Sequence, residues 1–201
     1  MVVIGIYYAL AVTAAGLILS YFTRPAFGIP FYILAAFCLY FFRDPRRDIP
    51  QGAHAVSPAD GKVVVVTKEG DGQRISIFLS PLDVHVNRAP IAGRITEVVY
   101  TSGQFLVASR PEASEANEQN KVTVVAEDGT KVVFKQIAGI VARRIIFHKK
   151  VGDHVAMGEK IGHIQFGSRT DVQFGPEWDV VVQVGQRVQA GASIVARRRN
   201  T

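Results

Sequence analysis

Residues 151–161 read VGDHVAMGEKI, and the pattern returns at 184–194 as VGQRVQAGASI. Both copies follow V-G-x-x-V-x-x-G-x-x-I, offset by 33 residues. Glycines at fixed places in so short a unit suit tight turns that need backbone angles closed to other residues. The valine and isoleucine suit inward positions of the flanking strands. The repeat predicts two similar β-hairpin units packed face to face.

The sequence around the repeat agrees. From Asp44 onward the chain is a series of short Val- and Ile-rich runs punctuated by Gly, Pro, Asp and Asn: KVVVVT (62–67), RISIFLS (74–80), GRITEVVY (93–100), KVTVVAE (121–127) and KVVFKQIAG (131–139). RRIIFHK (143–149), IGHIQF (161–166), DVVVQV (179–184) and SIVARR (193–198) continue the series. Such spacing predicts a mainly β domain of sandwich or barrel-sandwich type and argues against βαβ units. SRPEASEANEQN (109–120) has no apolar period and reads as an exposed loop. The pair Gly167-Ser168 falls between the two repeats, in the connection between two rigid units, where a strained peptide can be held.

The N-terminus has another character. Val2 to Phe22 carries no charge, long enough for a membrane-crossing helix of roughly 20 residues. Ala26 to Phe42 is also uncharged, but it is shorter, and Gly28 and Pro30 weaken its first turn, so a full crossing and a re-entrant segment both stay open. These stretches predict a membrane helical hairpin over 1–43 and a β-rich domain over 44–201. No basic segment precedes the first stretch, which argues against a cleaved signal peptide. Arg43, Arg46 and Arg47 follow the second stretch while the turn holds only Arg24, so the charge bias places the large domain on the cytoplasmic side. The single cysteine, Cys38, supplies no disulfide framework.

The formal charge is +6, with basic clusters at Arg143-Arg144, Lys149-Lys150 and Arg197–Arg199. Beside a membrane hairpin such clusters suit anionic lipid headgroups better than nucleic acid.

Three stretches carry residues suited to chemistry: SPADGKV (57–63) with Asp60, FLSPLDVHVNRAP (78–90) with Asp83 and His85, and FGSRTD (166–171) with Ser168. A serine hydroxyl is a weak nucleophile until a base takes its proton, and a neutral histidine oriented by a carboxylate is the common means. Asp60, His85 and Ser168 are candidates for such a set. Equally, Asp60 suits a turn cap and His85 a satisfied strand histidine. There is no closed His/Cys set for a metal and no phosphate-binding glycine loop.

Together with FFRDPRR (41–47) and GHIQFGSRTDV (162–172), and in this order behind an apolar N-terminus, these stretches resemble the phosphatidylserine decarboxylases of the short bacterial and archaeal type. The resemblance implies a proenzyme that cuts itself between Gly167 and Ser168. The products would be a β chain of residues 1–167 and an α chain of residues 168–201, with Ser168 converted to a covalent pyruvoyl group. That group would form a Schiff base with phosphatidylserine and accept electrons as carbon dioxide departs, leaving phosphatidylethanolamine. In the same resemblance His85 is the base, Asp60 orients it, and Asp83 is the alternative orienter. Longer bacterial members carry a second histidine where Arg88 stands here, so that either His85 serves both self-cleavage and decarboxylation or Arg88 takes a separate role, such as holding the substrate carboxylate or phosphate. The implied partners are the phospholipid and the membrane, with a homodimer as the default assembly and no metal or nucleic acid.

The competing reading is a membrane-anchored barrel-sandwich adaptor without catalysis. A biotinyl or lipoyl carrier fits poorly, since neither Met1 nor Met157 flanks a lysine at a hairpin tip. His54, His148, His154 and His163 lie outside the catalytic stretches and suit strand or surface roles.

Overall fold

The computed structural model describes residues 2–108, 112–139, 144–165 and 168–199. Gly167, one half of the expected cleavage site, lies outside the described residues, as does Arg143 of the first basic cluster. The chain forms two compact units, Met1–Arg46 and Arg47–Thr201.

In the first unit, α1 (Val3–Phe22) and α2 (Ile29–Phe41) are joined by a 3₁₀ turn over Pro25–Gly28. Small residues let the helices approach. A Cβ on Gly5 would stand 2.3 Å from Cβ of Phe42, and one on Gly16 would stand 2.8 Å from Cβ of Phe31. Ala9, Ala35 and Cys38 pack in the same seam, and the Ser20 and Tyr32 hydroxyls meet at 3.3 Å. Close packing through small side chains suits helices in lipid, where apolar burial gives no drive to associate. By length and composition α1 can cross a membrane, whereas α2 has only 13 residues.

The second unit begins with β1 (His54–Val56), β2 (Gly61–Glu69), β3 (Gly72–Leu79), β4 (Val86–Arg88) and β5 (Gly93–Thr101). A helical turn, α3 (Ala113–Ala116), precedes β6 (Gln119–Val125), β7 (Lys131–Ala138), β8 (Ile145–Phe147), β9 (His154–Val155) and β10 (Lys160–Ile164). Then follow β11 (Ser168–Phe174), β12 (Trp178–Val180), β13 (Arg187–Val188) and β14 (Ile194–Arg198). Eight strands in the order β13-β2-β3-β11-β7-β6-β5-β9 form one curled sheet, a half-barrel. Two three-stranded sheets, β1-β14-β12 and β4-β10-β8, complete the unit. All three sheets contribute to one core, in which Ile75, Ile77, Phe134, Val172, Ile161 and Val195 are buried together.

The repeat keeps its glycine turns but is not a pair of hairpins: β9 and β13 pair with β5 and β2 in the large sheet, whereas β10 and β14 belong to the two small sheets, so each copy is a crossover between sheets. Gly152 and Gly185 open the two copies at φ 96° and 95°, and Gly158 and Gly191 close them at 75° and 77°. Each copy turns a short strand into a longer one, β9 into β10 and β13 into β14. The closing turns touch, since a Cβ on Gly191 would lie 3.6 Å from Cα of Gly158.

Two further readings of the sequence change. Ser168 is not in a connection between rigid units: it opens β11, which lies between β3 and β7 in the large sheet. Of the stretch expected to be an exposed loop, residues 113–116 are helical and 119–120 belong to β6, with Ala113, Ser114, Asn117 and Asn120 buried.

Candidate active site

Ser168 is paired in register with Leu79 of β3 and Ala138 of β7, which point to the same face. Its side chain is fully buried, and its Oγ has no hydrogen-bond partner among the described residues. A buried hydroxyl without a partner costs on the order of 1–3 kcal/mol. Such a group calls for an explanation, of which a catalytic role is one; Thr130, Gln165 and Trp178 also carry buried polar atoms without a partner among the described residues.

His85 directly precedes β4 and is 3% exposed. Its Nδ1 lies 2.9 Å from the carbonyl oxygen of Asp83, and its own carbonyl accepts from the Ile164 amide at 3.2 Å. Ile164 ends β10, four residues before Ser168, so the histidine's main chain is tied to the segment that leads into the serine. One residue pair also links the two strands: Nδ2 of Asn87, two residues after His85, is 3.5 Å from Oγ1 of Thr170, two residues after Ser168.

Both carboxylates have partners of their own. Asp83 folds its own turn, accepting at Oδ2 from the Ser80 amide at 2.8 Å and the Ser80 hydroxyl at 2.7 Å, while Oδ1 pairs with Arg187. Asp60 accepts from Arg47 at 2.7 and 3.0 Å and from the Ala190 amide at 2.8 Å. The contact of Asp60 with the imidazole that the sequence suggested is not among those of the described residues. Burial pushes the Asp60 carboxyl above its usual range, against the pull of the Ala190 amide and Arg47 and with some help from the charge on Asp83. Asp60 thus joins Arg47, at the start of the unit, to the closing turn of the second repeat.

Arg88, 6% exposed, runs between the two repeats: Nη1 donates to the Gly158 carbonyl at 3.0 Å, and a Cβ on Gly191 would lie 2.9 Å from its Cδ. Its guanidinium is therefore held at least partly by the scaffold.

Sequence reasoning passed over three features. Arg47, read as a charge flanking a membrane segment, is the partner of Asp60. On the outer face of β11, Arg169 donates from Nε to Asp171 and from Nη2 to Ser76, both at 2.7 Å, and Asp171 also accepts from Ser114 at 2.8 Å and Arg74 at 3.3 Å. Charged residues alternating with Ser168 and Thr170 in SRTD were the available signal. Thirdly, His163 is 4% exposed with its ring 5.7 Å from that of His148. Burial first, then the positive charges of His148 and Arg144, lower its pKa to about 4. Elsewhere, a surface cavity of about 430 Å³ lined by His54, Met157, Trp178 and Arg198 takes in none of the candidate residues.

Comparison with known proteins covers most of the chain. The pattern of the phosphatidylserine decarboxylase family matches residues 34–196. A phosphatidylserine decarboxylase proenzyme of Solibacter usitatus is 64% identical over 194 residues, 96% of this chain and 95% of that protein. Proteins of the same description from Salinibacter ruber and Desulfotalea psychrophila are 47% and 41% identical, covering 81% and 83% of this chain and 76% and 82% of theirs.

Proposed function

The chain belongs to the phosphatidylserine decarboxylase family and is an enzyme that breaks a carbon–carbon bond, and we propose that it builds the carbonyl it needs from its own Ser168. The observation that carries this reading is the fully buried Ser168 hydroxyl with no hydrogen-bond partner among the described residues, at the head of a strand held on both sides.

In the proposed maturation, His85 takes the proton of Ser168 as Oγ bonds to the carbonyl carbon of Gly167. The Gly167–Ser168 carbon–nitrogen bond breaks, the proton passes to the leaving nitrogen, and an ester remains. Loss of the Ser168 α-proton then expels the Gly167 carboxylate. Water converts the resulting dehydroalanine to a pyruvoyl group and ammonia. The cut leaves a β chain of residues 1–167 and an α chain of residues 168–201.

The site suits such a group. A pyruvoyl is small, uncharged and apolar at its methyl, and the register neighbours of residue 168 are Leu79 and Ala138. Once formed, it supplies an electron sink for the carboxylate lost from phosphatidylserine. In this reading His85 moves a proton in maturation and again at the substrate carbon. Asp83 aims it through its carbonyl, and Asp60 fixes the SPADG segment against Arg47 and Ala190. Arg88 remains the candidate for the substrate's anionic groups. The apolar hairpin holds the enzyme at the cytoplasmic side of the membrane, where its lipid lies.

Intact mass of the purified protein tests this proposal. Two chains are expected, the smaller resistant to stepwise amino-terminal degradation, and cyanoborohydride with phosphatidylserine should add the lipid to the smaller chain alone. A single uncut chain, or an adduct on a lysine of the larger one, would refute it and favour the adaptor or a different electron sink.

A further inference from the structure

A chain of side-chain amides crosses the interior face of the half-barrel one row from Ser168. Asn120 of β6 donates from Nδ2 to Oε1 of Gln136 of β7 at 3.0 Å, and Gln136 donates from Nε2 to Oδ1 of Asn87 of β4 at 2.9 Å. Asn87 in turn offers Nδ2 to the Pro58 carbonyl at 3.3 Å, with Thr170 Oγ1 at 3.5 Å from the same nitrogen. Asn87, Gln136 and Thr170 are fully buried, and Asn120 is 3% exposed.

The orientation of the chain is fixed from one end. A carbonyl only accepts, so Asn87 must turn its NH₂ to Pro58 and its oxygen to Gln136, which must then turn its own oxygen to Asn120. The neighbouring row, Ile75, Val172, Phe134 and Val122, shows that apolar side chains fill this face without any such demand. Burying amides gains little over that alternative, while leaving one unsatisfied is costly.

The specificity lies in what Asn87 joins. It touches Pro58, two residues before Asp60, and Thr170, two after Ser168, and it stands two residues after His85 on the same strand face. The Arg88 amide reinforces the first link with a 2.9 Å bond to the same Pro58 carbonyl. We infer that Asn87 is a positioning residue for self-cleavage, setting in register the three segments that carry Asp60, His85 and Ser168. The inference rests on the proposed role of Ser168.

The test follows cutting of freshly synthesised full-length protein by gel, with melting temperatures measured in the uncut Ser168→Ala background. Asn87→Leu should cut at least tenfold more slowly at pH 7.5. Asn87→Asp keeps the acceptor for Gln136 but donates to Pro58 only when protonated, so its rate relative to wild type should rise severalfold between pH 7.5 and 5.5. Val122→Ala, in the apolar row, should cut within twofold of wild type even where its melting temperature falls as far as that of the Asn87 variants. Wild-type cutting by Asn87→Leu overturns the inference. So does a pH-independent ratio for Asn87→Asp, or slowing by Val122→Ala equal to that of an Asn87 variant of matched melting temperature. If Asn87→Leu does not fold, the pH profile of Asn87→Asp decides alone. Cutting by Ser168→Ala would instead refute the role of Ser168.

Discussion

Nδ1 of His85 lies 2.9 Å from the main-chain carbonyl oxygen of Asp83. Because that oxygen can only accept, it selects the tautomer with the proton on Nδ1, the tautomer that the proposed role of His85 as base calls for. A carbonyl orients the ring as a carboxylate would but places no full charge beside it. The ring of His85 is thus oriented by a main-chain turn, through the Asp83 carbonyl.

Replacing the base should separate it from the nucleophile. His85→Gln is expected to slow cutting by about 10²- to 10⁴-fold, the usual contribution of a positioned base. Ser168→Ala should abolish cutting, because it removes both the attacking oxygen and the source of the ketone. Time courses of the two variants on gels check this, and wild-type rates in His85→Gln would move the base elsewhere.

Asp83 and Asp60 should fail in different ways. Asp83→Ala loses both Ser80 bonds and loosens the turn that aims its carbonyl, so cutting should slow by about tenfold with a modest loss of stability. Asp60→Ala deprives Arg47, whose side chain is only 9% exposed, of its carboxylate and orphans the Ala190 amide. A cost of about 3–5 kcal/mol is expected. Urea unfolding of both variants in the Ser168→Ala background distinguishes the two effects.

The outer face of β11 gives a purely structural prediction. Asp171→Ala leaves Arg169, 1% exposed, without its carboxylate, and should destabilise the fold by about 3–5 kcal/mol. Ser114→Ala removes a single bond to the same carboxylate and should cost about 1–2 kcal/mol. Similar unfolding midpoints for the two variants would show that α3, not Arg169, is the main beneficiary.

His163 predicts a stability loss in acid. The unfolded imidazole takes up a proton near 6.5 and the folded one near 4, so the contribution is complete above pH 6.5 and is lost as pH falls from there to 4. Its size is on the order of 2–3 kcal/mol, from about 1.4 kcal/mol per unit reduced for partial solvent screening. His163→Gln should show a smaller fall in unfolding free energy between pH 7.5 and 4.5 than the parent protein does. An equal fall would assign the acid sensitivity to other groups.

Truncation tests the role of the hairpin. A chain beginning at Asp44 keeps the Arg47–Asp60 pair and is expected to cut itself. It should act far better on a short-chain, dispersed phosphatidylserine than on the same headgroup in vesicles. A chain beginning at Asp48 lacks Arg47 and should be less stable and slower to cut. Equal turnover of vesicle lipid by the Asp44 chain and the full-length enzyme would make the hairpin dispensable.

The glycine turns of the repeat were legible because they are local requirements, but the pairing was not: the strands of each copy join different sheets instead of forming a hairpin, and that depends on distant partners. Nor was β11 legible, although it lies at the centre of the large sheet. Its outward side chains are Arg169, Asp171 and Gln173, and its inward row opens with Ser168 and Thr170, so that only Val172 and Phe174 show the apolar alternation by which strands are recognised. The polar run from 109 to 120 misled for the matching reason. Ser114 is buried because Asp171, 57 residues away, needs a donor, and no window along the chain contains both. The catalytic candidates were named from their stretches, but the partners of Asp60 and His85 depend on how distant segments meet.

The place of β11 between β3 and β7 also governs what a cut before Ser168 would leave. Seven residues of β11 are paired on both sides, and β14, farther along the same fragment, is flanked by β1 and β12. Residues 168–201 would then be less a subunit than a piece of the interior with a chain end. Such a product should not dissociate on dilution at any concentration at which the fold survives. Once unfolded, however, it would have to find its complement by a bimolecular encounter. Heating and cooling would retrace each other for the intact proenzyme but show concentration-dependent hysteresis after cutting, so that maturation would exchange reversible folding for a kinetically trapped two-chain state.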